Sequence, residues 1–504
     1  MSEMQQQVVQ RTPHGRLVDD EQGLVPMDSA TSSFEPKEQT RPGAPRTTTG
    51  TVDRFLRRGK PKVGVVESLK AIAFSSWLNL LLLFLPIAWV AHFGNAHDDP
   101  PEKTWKYSGT FVLCFLSIIP LEKLFDYGGE QMSFYLGADL GDLLVVTLNN
   151  TVEGTLAIIL LKKCELKLLQ STIVGVVLLH LLLVPGVAFV TGGARILEQD
   201  LHPHLTQLNH TLLTIGVMTL LIPAAFFAAL DHAALPATTV TSEAPTLFVS
   251  DTTRGIFLQM SRGLAVILLT VYICSRIFLH NPPGPGHSAL AEHRLAPEAL
   301  KERAQEWDTQ DPEVSQWVCL GMLIITIGVM AATAEWLVDS IEFVREGSIQ
   351  QEWFGLILLP LVSFSGDGFL AIVFFLRSCI QYLRGEPSPP ATLANARPID
   401  LSIQFTMFWM PFIVLLGWWI GRPMSLLFDL FEVALIIASC FIVNYVTADS
   451  KTNWAEGYAM LAFYVMIALC SWFYTGQQEI DVLLTCDTVG EALSAAAEAV
   501  VGKD

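Results

Sequence analysis

Thr151-Val-Glu-Gly-Thr-Leu-Ala-Ile158 and Ser365-Gly-Asp-Gly-Phe-Leu-Ala-Ile372 decide how this chain is read, because each sets one acid and one Gly three residues before Leu-Ala-Ile inside a long apolar run. Around the first acid stand Thr147, Asn149, Asn150 and Thr151; around the second stand Ser363, Ser365, Gly366 and Gly368. A carboxylate at membrane depth costs about 2.5–3.5 kcal/mol, so an acid kept there marks a functional site by default. The alternative, that Glu153 and Asp367 only tie helices together by hydrogen bonds, is weaker for a repeated pair than for one acid.

Working outward, the chain has 504 residues, of which 51% are hydrophobic and only 16% charged, too apolar for an ordinary soluble protein. Charges crowd into the first seventy residues, the 281–314 stretch and the C-terminus. Spanning a hydrocarbon core takes about 20 apolar residues in a helix. About eleven blocks qualify: 71–93, 107–125, 140–161, 170–191, 208–230, 255–280, 315–341, 352–377, 399–420, 425–447 and 457–475. The two quoted strings fall in the third and eighth blocks. An odd number of crossings separates them, so one copy is inverted relative to the other, as in many transporters.

The predicted fold is therefore an all-α polytopic membrane protein of about eleven transmembrane helices, one extra helix followed by two inverted five-helix repeats. Its divisions are a cytosolic tail without apolar periodicity (1–67), the first span and its loop (68–106), the first repeat (107–280), a cytosolic linker (281–314), the second repeat (315–476) and a C-terminal tail (477–504). Arg54, Arg57, Arg58, Lys60 and Lys62 precede the first span, and the positive-inside bias puts the N-terminus in the cytosol. An odd span count places the C-terminus on the opposite side.

The net charge of −18 argues against a nucleic-acid partner. The eight cysteines are scattered, without zinc-site spacing, and read as packing residues. No phosphate-binding Gly-rich loop, nucleophile elbow or metalloprotease motif occurs, so no enzymatic activity and no cofactor are expected. The clusters at Glu153 and Asp367 offer carboxylate, amide and hydroxyl oxygens, which suit a hard cation such as Ca²⁺, Na⁺ or Mn²⁺. A buried carboxylate also binds protons, and competition between cation and proton is a sufficient mechanism for antiport. The expected partners are the transported cation, protons and membrane lipid; no oligomeric state is specified.

Many short stretches resemble the Ca²⁺/H⁺ exchangers of the cation/Ca²⁺ exchanger superfamily, found in vacuolar membranes of fungi and plants. They include Ser75-Ser-Trp-Leu-Asn-Leu-Leu-Leu82, Leu181-Leu-Leu-Val-Pro-Gly186, Met260-Ser-Arg-Gly263, Ala334-Glu-Trp-Leu-Val-Asp-Ser-Ile341, Pro411-Phe-Ile-Val-Leu-Leu-Gly-Trp418 and Asn453-Trp-Ala-Glu-Gly457. The resemblance implies eleven helices, a vacuolar membrane and a site motif Gly-Asn-x-x-Glu in each repeat. Here Asn149 replaces the first Gly, while Asn150 and Glu153 match. In the second copy Ser363 replaces Gly, Phe364 replaces Asn, and Asp367 replaces Glu, shortening the acid by about 1.5 Å. Companion motifs are eroded to Gly175-Val-Val-Leu-Leu-His180 and Asp400-Leu-Ser-Ile-Gln404, in which Ser402 and Gln404 survive.

The expected cation and proton site is thus Glu153, Asp367, Asn150, Asn149, Ser363, Ser402 and Gln404, with Glu153 and Asp367 holding Ca²⁺ or another hard cation. His180 is either a proton relay or metal ligand, or a neutral imidazole hydrogen-bonded between helices. Glu335 and Asp339 share one helix face and form either a proton pathway or a structural ion pair. Glu122, Asp429 and Glu432, near span ends, are read as interfacial and left outside the site. Proton-coupled Ca²⁺ exchange is the leading function; Na⁺ or K⁺ exchange for protons and a non-transporting sensor or partner are the alternatives.

Overall fold

In the computed structural model the described residues are 55, 63–95, 107–136, 138–194, 196–234, 249–280, 311–345, 350–384, 397–492 and 494. Most of the expected N-terminal tail (1–67) and most of the 281–314 linker lie outside them, while α1 begins inside the expected tail. The first helices are α1 (Val65–Phe74), α2 (Phe84–Asn95), α3 (Tyr107–Leu136), α4 (Ala138–Asn149) and α5 (Thr151–Lys163). Then come α6 (Leu166–Leu178), α7 (Val184–Gly193), α8 (Pro203–Ala234), α9 (Asp251–His280) and α10 (Gln316–Arg345). The remainder are α11 (Gln351–Trp353), α12 (Pro360–Leu383), α13 (Arg397–Gln404), α14 (Met410–Trp419), α15 (Leu430–Val446), α16 (Trp454–Ser471) and α17 (Gln478–Leu483). Among the described residues, seven helical stretches are long and apolar enough to cross a membrane, and the last part of α4, Leu143–Asn149, with α5 adds an eighth, bent by 49°. Large apolar side chains such as Ile325, Phe441, Leu469 and Phe473 face outward, as a bilayer-facing surface requires.

Three helices contain a five-residue π segment: Leu179–Leu183, Phe354–Leu358 and Phe405–Trp409. Each ends two residues before a proline, Pro185, Pro360 or Pro411. A proline lacks the N–H donor and crowds the carbonyl four residues back, and one wider turn relieves both faults. The α6–π–α7, α11–π–α12 and α13–π–α14 runs thus share one device. Proline alone is not sufficient, since Pro120 in α3 and Pro223 in α8 sit inside uninterrupted helices.

Several of the stretches quoted above are packing and capping devices. Asn453 accepts from the backbone N–H groups of Ala455 and Glu456, both at 3.0 Å, while Glu456 accepts from the Asn453 N–H, a capping box that starts α16. Gly457 then crosses Gly186 of α7 so closely that a Cβ on Gly457 would come within 2.9 Å of the Gly186 carbonyl oxygen. Ser261 receives the Leu426 N–H at 2.8 Å and fastens α9 to the segment before α15.

The connections fall into two sets that mark two opposite ends. At one end β1 (Gln199–Asp200) pairs antiparallel with β2 (Lys451–Thr452), Gln131 accepts from Glu313 N–H, and Ser68 accepts from Ser315 N–H. At the other, Arg422 donates to the Lys162 carbonyl, Arg254 donates to the carbonyls of Thr485 and Asp487, and Cys164 is disulfide-bonded to Cys486. The bridge corrects the reading of all eight cysteines as packing residues. It joins positions 322 apart, which no local spacing could reveal. The start of the C-terminal tail, residues 477–492, is likewise ordered structure on this second end.

Candidate functional site

The break between α4 and α5 falls at Asn150, whose φ of −91° and ψ of 4° leave the helical region. Its side chain donates to Gln404 Oε1 at 2.7 Å and to the Leu401 carbonyl at 3.2 Å. Gln404 in turn donates to Thr147 Oγ1 at 3.0 Å. Two surviving amides, one from each repeat, thus clasp each other at the kink. Ser402 is fully buried in the same helix, α13, and its hydroxyl has no hydrogen-bond partner among the described residues.

Glu153 occupies the first turn of α5 and is only 4% exposed. Beside it lies a cavity of ≈ 10 Å³, bounded by α3, α5, α6, α10, α12 and Leu359 before α12, about the room that one water needs. Gly154 lies under the ring of Trp409, where a Cβ would come to 2.6 Å, so the Phe405–Trp409 π segment presses on the residue next to the acid. Such a site can hold a carboxylate in a dry setting one helical turn from the Asn150 amide.

Asp367 and Ser363 lie on α12, but their side chains are outside the described residues. Phe364 packs its ring back over Gly368 on the same face of α12, so a phenyl group covers the backbone beside Asp367. No group of three or more His, Cys, Asp or Glu side chains placed to hold a metal occurs among the described residues.

Other expected site residues are placed elsewhere. Asn149, with its amide turned to donate, bonds Asp126 Oδ1 and the Val145 carbonyl, both at 2.9 Å, because it precedes the kink and faces α3 instead of the Asn150–Gln404 pair. Glu335 and Asp339 do share a face of α10, but that face is turned outward and both are exposed. Asp339 forms an ion pair with Lys163 at the end of α5. His180 is buried in the first π segment, and its Nδ1 lacks a hydrogen-bond partner among the described residues, so the expected bond between helices is not made there.

Two constellations escaped the sequence reading. Arg276 of α9 and Asp400 of α13 form a buried two-pronged pair, Nη2 to Oδ1 at 2.6 Å and Nη1 to Oδ2 at 3.2 Å. Asp400 stands where the resemblance calls for Gly. The second corrects the interfacial reading of Glu122, Asp429 and Glu432, all three of which are buried. Asp429 and Glu432 open α15, yet Lys167 of α6 and the chain from Tyr474 to α17 cover them. Asp481 of α17 lies 3.7 Å from Lys167, and burial pushes its carboxyl up to about 6.

Helices in this order, a polar clasp between inverted repeats and a buried carboxylate at a helix break define a membrane-embedded exchanger. A model of the sodium/calcium exchanger protein family matches residues 318–473. A vacuolar calcium ion transporter of Cryptococcus neoformans var. grubii serotype A is 31% identical over 488 residues, covering 82% of this chain and 77% of that one. The vacuolar calcium ion transporter of Schizosaccharomyces pombe is 31% identical over 423 residues, covering 84% and 91%. A Ca²⁺/H⁺ antiporter of Synechocystis is 28% identical over 400 residues, covering 78% and 96%. Solved structures share the fold: native YfkE at TM-score 0.57 and 19% identity, covering 79% and 100% of the two chains, and the H⁺/Ca²⁺ exchanger CAX at 0.50 and 14%, covering 81% and 90%. The chain belongs to the Ca²⁺/H⁺ exchanger family of the cation/Ca²⁺ exchanger superfamily.

Proposed function

We propose that this protein is a secondary active antiporter that exchanges Ca²⁺ for protons across a vacuolar-type membrane by alternating access. The observation that carries the reading is Glu153, a buried carboxylate at the α4–α5 break beside the Asn150–Gln404 clasp. In this mechanism the carboxylate binds either Ca²⁺ or a proton, and the two compete for it. Asp367 supplies the symmetric acid from the other repeat. Rocking of the repeats about the clasp exposes the pair to one side and then the other.

The orientation follows from redox chemistry. Disulfides persist in oxidising compartments, so the end that holds Cys164–Cys486 faces the lumen and the β1–β2 end faces the cytosol. That agrees with the five basic residues before the first span, whose helix α1 meets Ser315 at the β1–β2 end. A thiol-alkylating reagent applied to the denatured, unreduced protein is expected to label six cysteines, and all eight after reduction. Eight labelled sites before reduction would remove this argument for orientation.

The exchange itself is tested by reconstituting the native chain into proteoliposomes and following cation-dependent proton release with Ca²⁺, Mn²⁺, Na⁺ and K⁺. Release with Ca²⁺ supports the reading, and none with any ion sinks it. Release with only Na⁺ or K⁺ would favour monovalent exchange, to which the Phe364 ring packed beside Asp367 points by displacing an amide ligand.

A further inference from the structure

The lumenal end carries a second buried ionisable cluster, at the starts of α6 and α15. Lys167 of α6 stands among four carboxylates from three other elements: Glu352 of α11, Asp429 and Glu432 of α15, and Asp481 of α17. Asp429 is fully engaged, accepting from Phe431 N–H at 3.0 Å, Gln477 N–H at 2.9 Å, Tyr474 O–H at 2.5 Å and Lys167 Nζ at 3.4 Å. Lys167 reaches both Asp429 and Asp481, so one lysine is shared among the four carboxylates. Among the described residues Lys167 is the cation that reaches this group, which also holds Glu352 and Glu432. Burial raises the Asp481 carboxyl above the usual range, and like charges this close compete for the one lysine.

Glu432 is the member built to exchange one. It is 1% exposed; Ser171 donates to its Oε1 at 2.5 Å, while Oε2 is buried and without a hydrogen-bond partner among the described residues. Its neighbours connect it in both directions. Toward solvent stand Lys167 and the partly exposed Asp481, on the short helix that Cys486 pins to Cys164. Toward the site, Thr172, next in sequence to Ser171, lines the Glu153 cavity.

We propose that Glu432 is a proton-loading station of the exchanger, taking protons from the lumenal side and holding them for Glu153; this role rests on the exchange reading above. In loading, hydronium gives its proton to Oε2 of the carboxylate and leaves as water. In unloading, that O–H bond breaks and the proton passes to the Glu153 carboxylate as Ca²⁺ departs. Lys167 and Asp429 keep the station in place, and Ser171 sets how readily it loads by bonding the charged form.

The test uses proteoliposomes with the disulfide end inward and the interior buffered over a range of pH. With Glu432→Gln, Ca²⁺-dependent exchange is expected to fall roughly tenfold or more at an internal pH of about 7 and to recover toward the native rate at about 5, where protons reach Glu153 without a station. Ser171→Ala removes the bond that favours the charged carboxylate, so its profile moves the other way, loading at higher pH. A purely structural role would lower the rate by one factor at every pH, and that result in a transporting Glu432→Gln protein overturns the proposal alone. If Glu432→Gln does not fold, an unshifted Ser171→Ala profile overturns it. A native chain inert with every ion overturns the exchange reading and this role with it.

Discussion

Glu153→Gln is expected to reduce Ca²⁺-dependent proton exchange to the background of empty liposomes, a loss of about 100-fold or more, while the protein still folds. Glutamine preserves the volume of the side chain and the packing of Gly154 under Trp409, so the α4–α5 break and the Asn150–Gln404 clasp should persist. What disappears is the alternation: an amide neither titrates in the physiological range nor offers a full charge to a divalent cation. Removing a buried charge also lifts a desolvation cost of about 2.5–3.5 kcal/mol, so thermal stability should be unchanged or raised. Loss of activity with raised or unchanged Tm is the signature of a transport group. Wild-type exchange in the variant would show that Glu153 is a structural hydrogen-bonding acid.

The features legible in the sequence were those carried by local pattern. Glu153, Asn150 and Gln404 stood out because polar atoms are rare at membrane depth, and the structure brings the two amides into one clasp. The prolines at 185, 360 and 411 were visible too, although only the backbone shows that each is preceded by a π segment. Long-range pairings left no such trace. Nothing near Cys164 points to Cys486, nothing near Arg276 points to Asp400, and Asp429 and Glu432 looked interfacial because span position reports distance along a helix, not what folds back over its end. Asn149 shows the reverse error. It has the chemistry of its neighbour Asn150, but one residue at a helix break turns its amide toward α3.

The Arg276–Asp400 pair yields the largest expected change in stability. Asp400→Ala leaves a guanidinium buried against Tyr272 without its carboxylate, and breaking a buried pair from one side costs about 3–5 kcal/mol. Thermal unfolding in detergent should show a Tm several degrees below the native value. The companion change Arg276→Met with Asp400→Leu removes both charges and fills the space with apolar atoms, so it should recover most of that loss. A double-mutant cycle that gives a coupling near zero would mean that the two groups are solvated independently. The pair also fastens α9 to α13 only two residues before Ser402 and four before Gln404, on the side assigned to the cytosol. If α9 must move against α13 when the site opens there, the apolar double variant should fold well and exchange at a rate different from the native one. Equal rates would restrict the pair to stability, and a changed rate with native Tm would make it a latch on the path to Glu153.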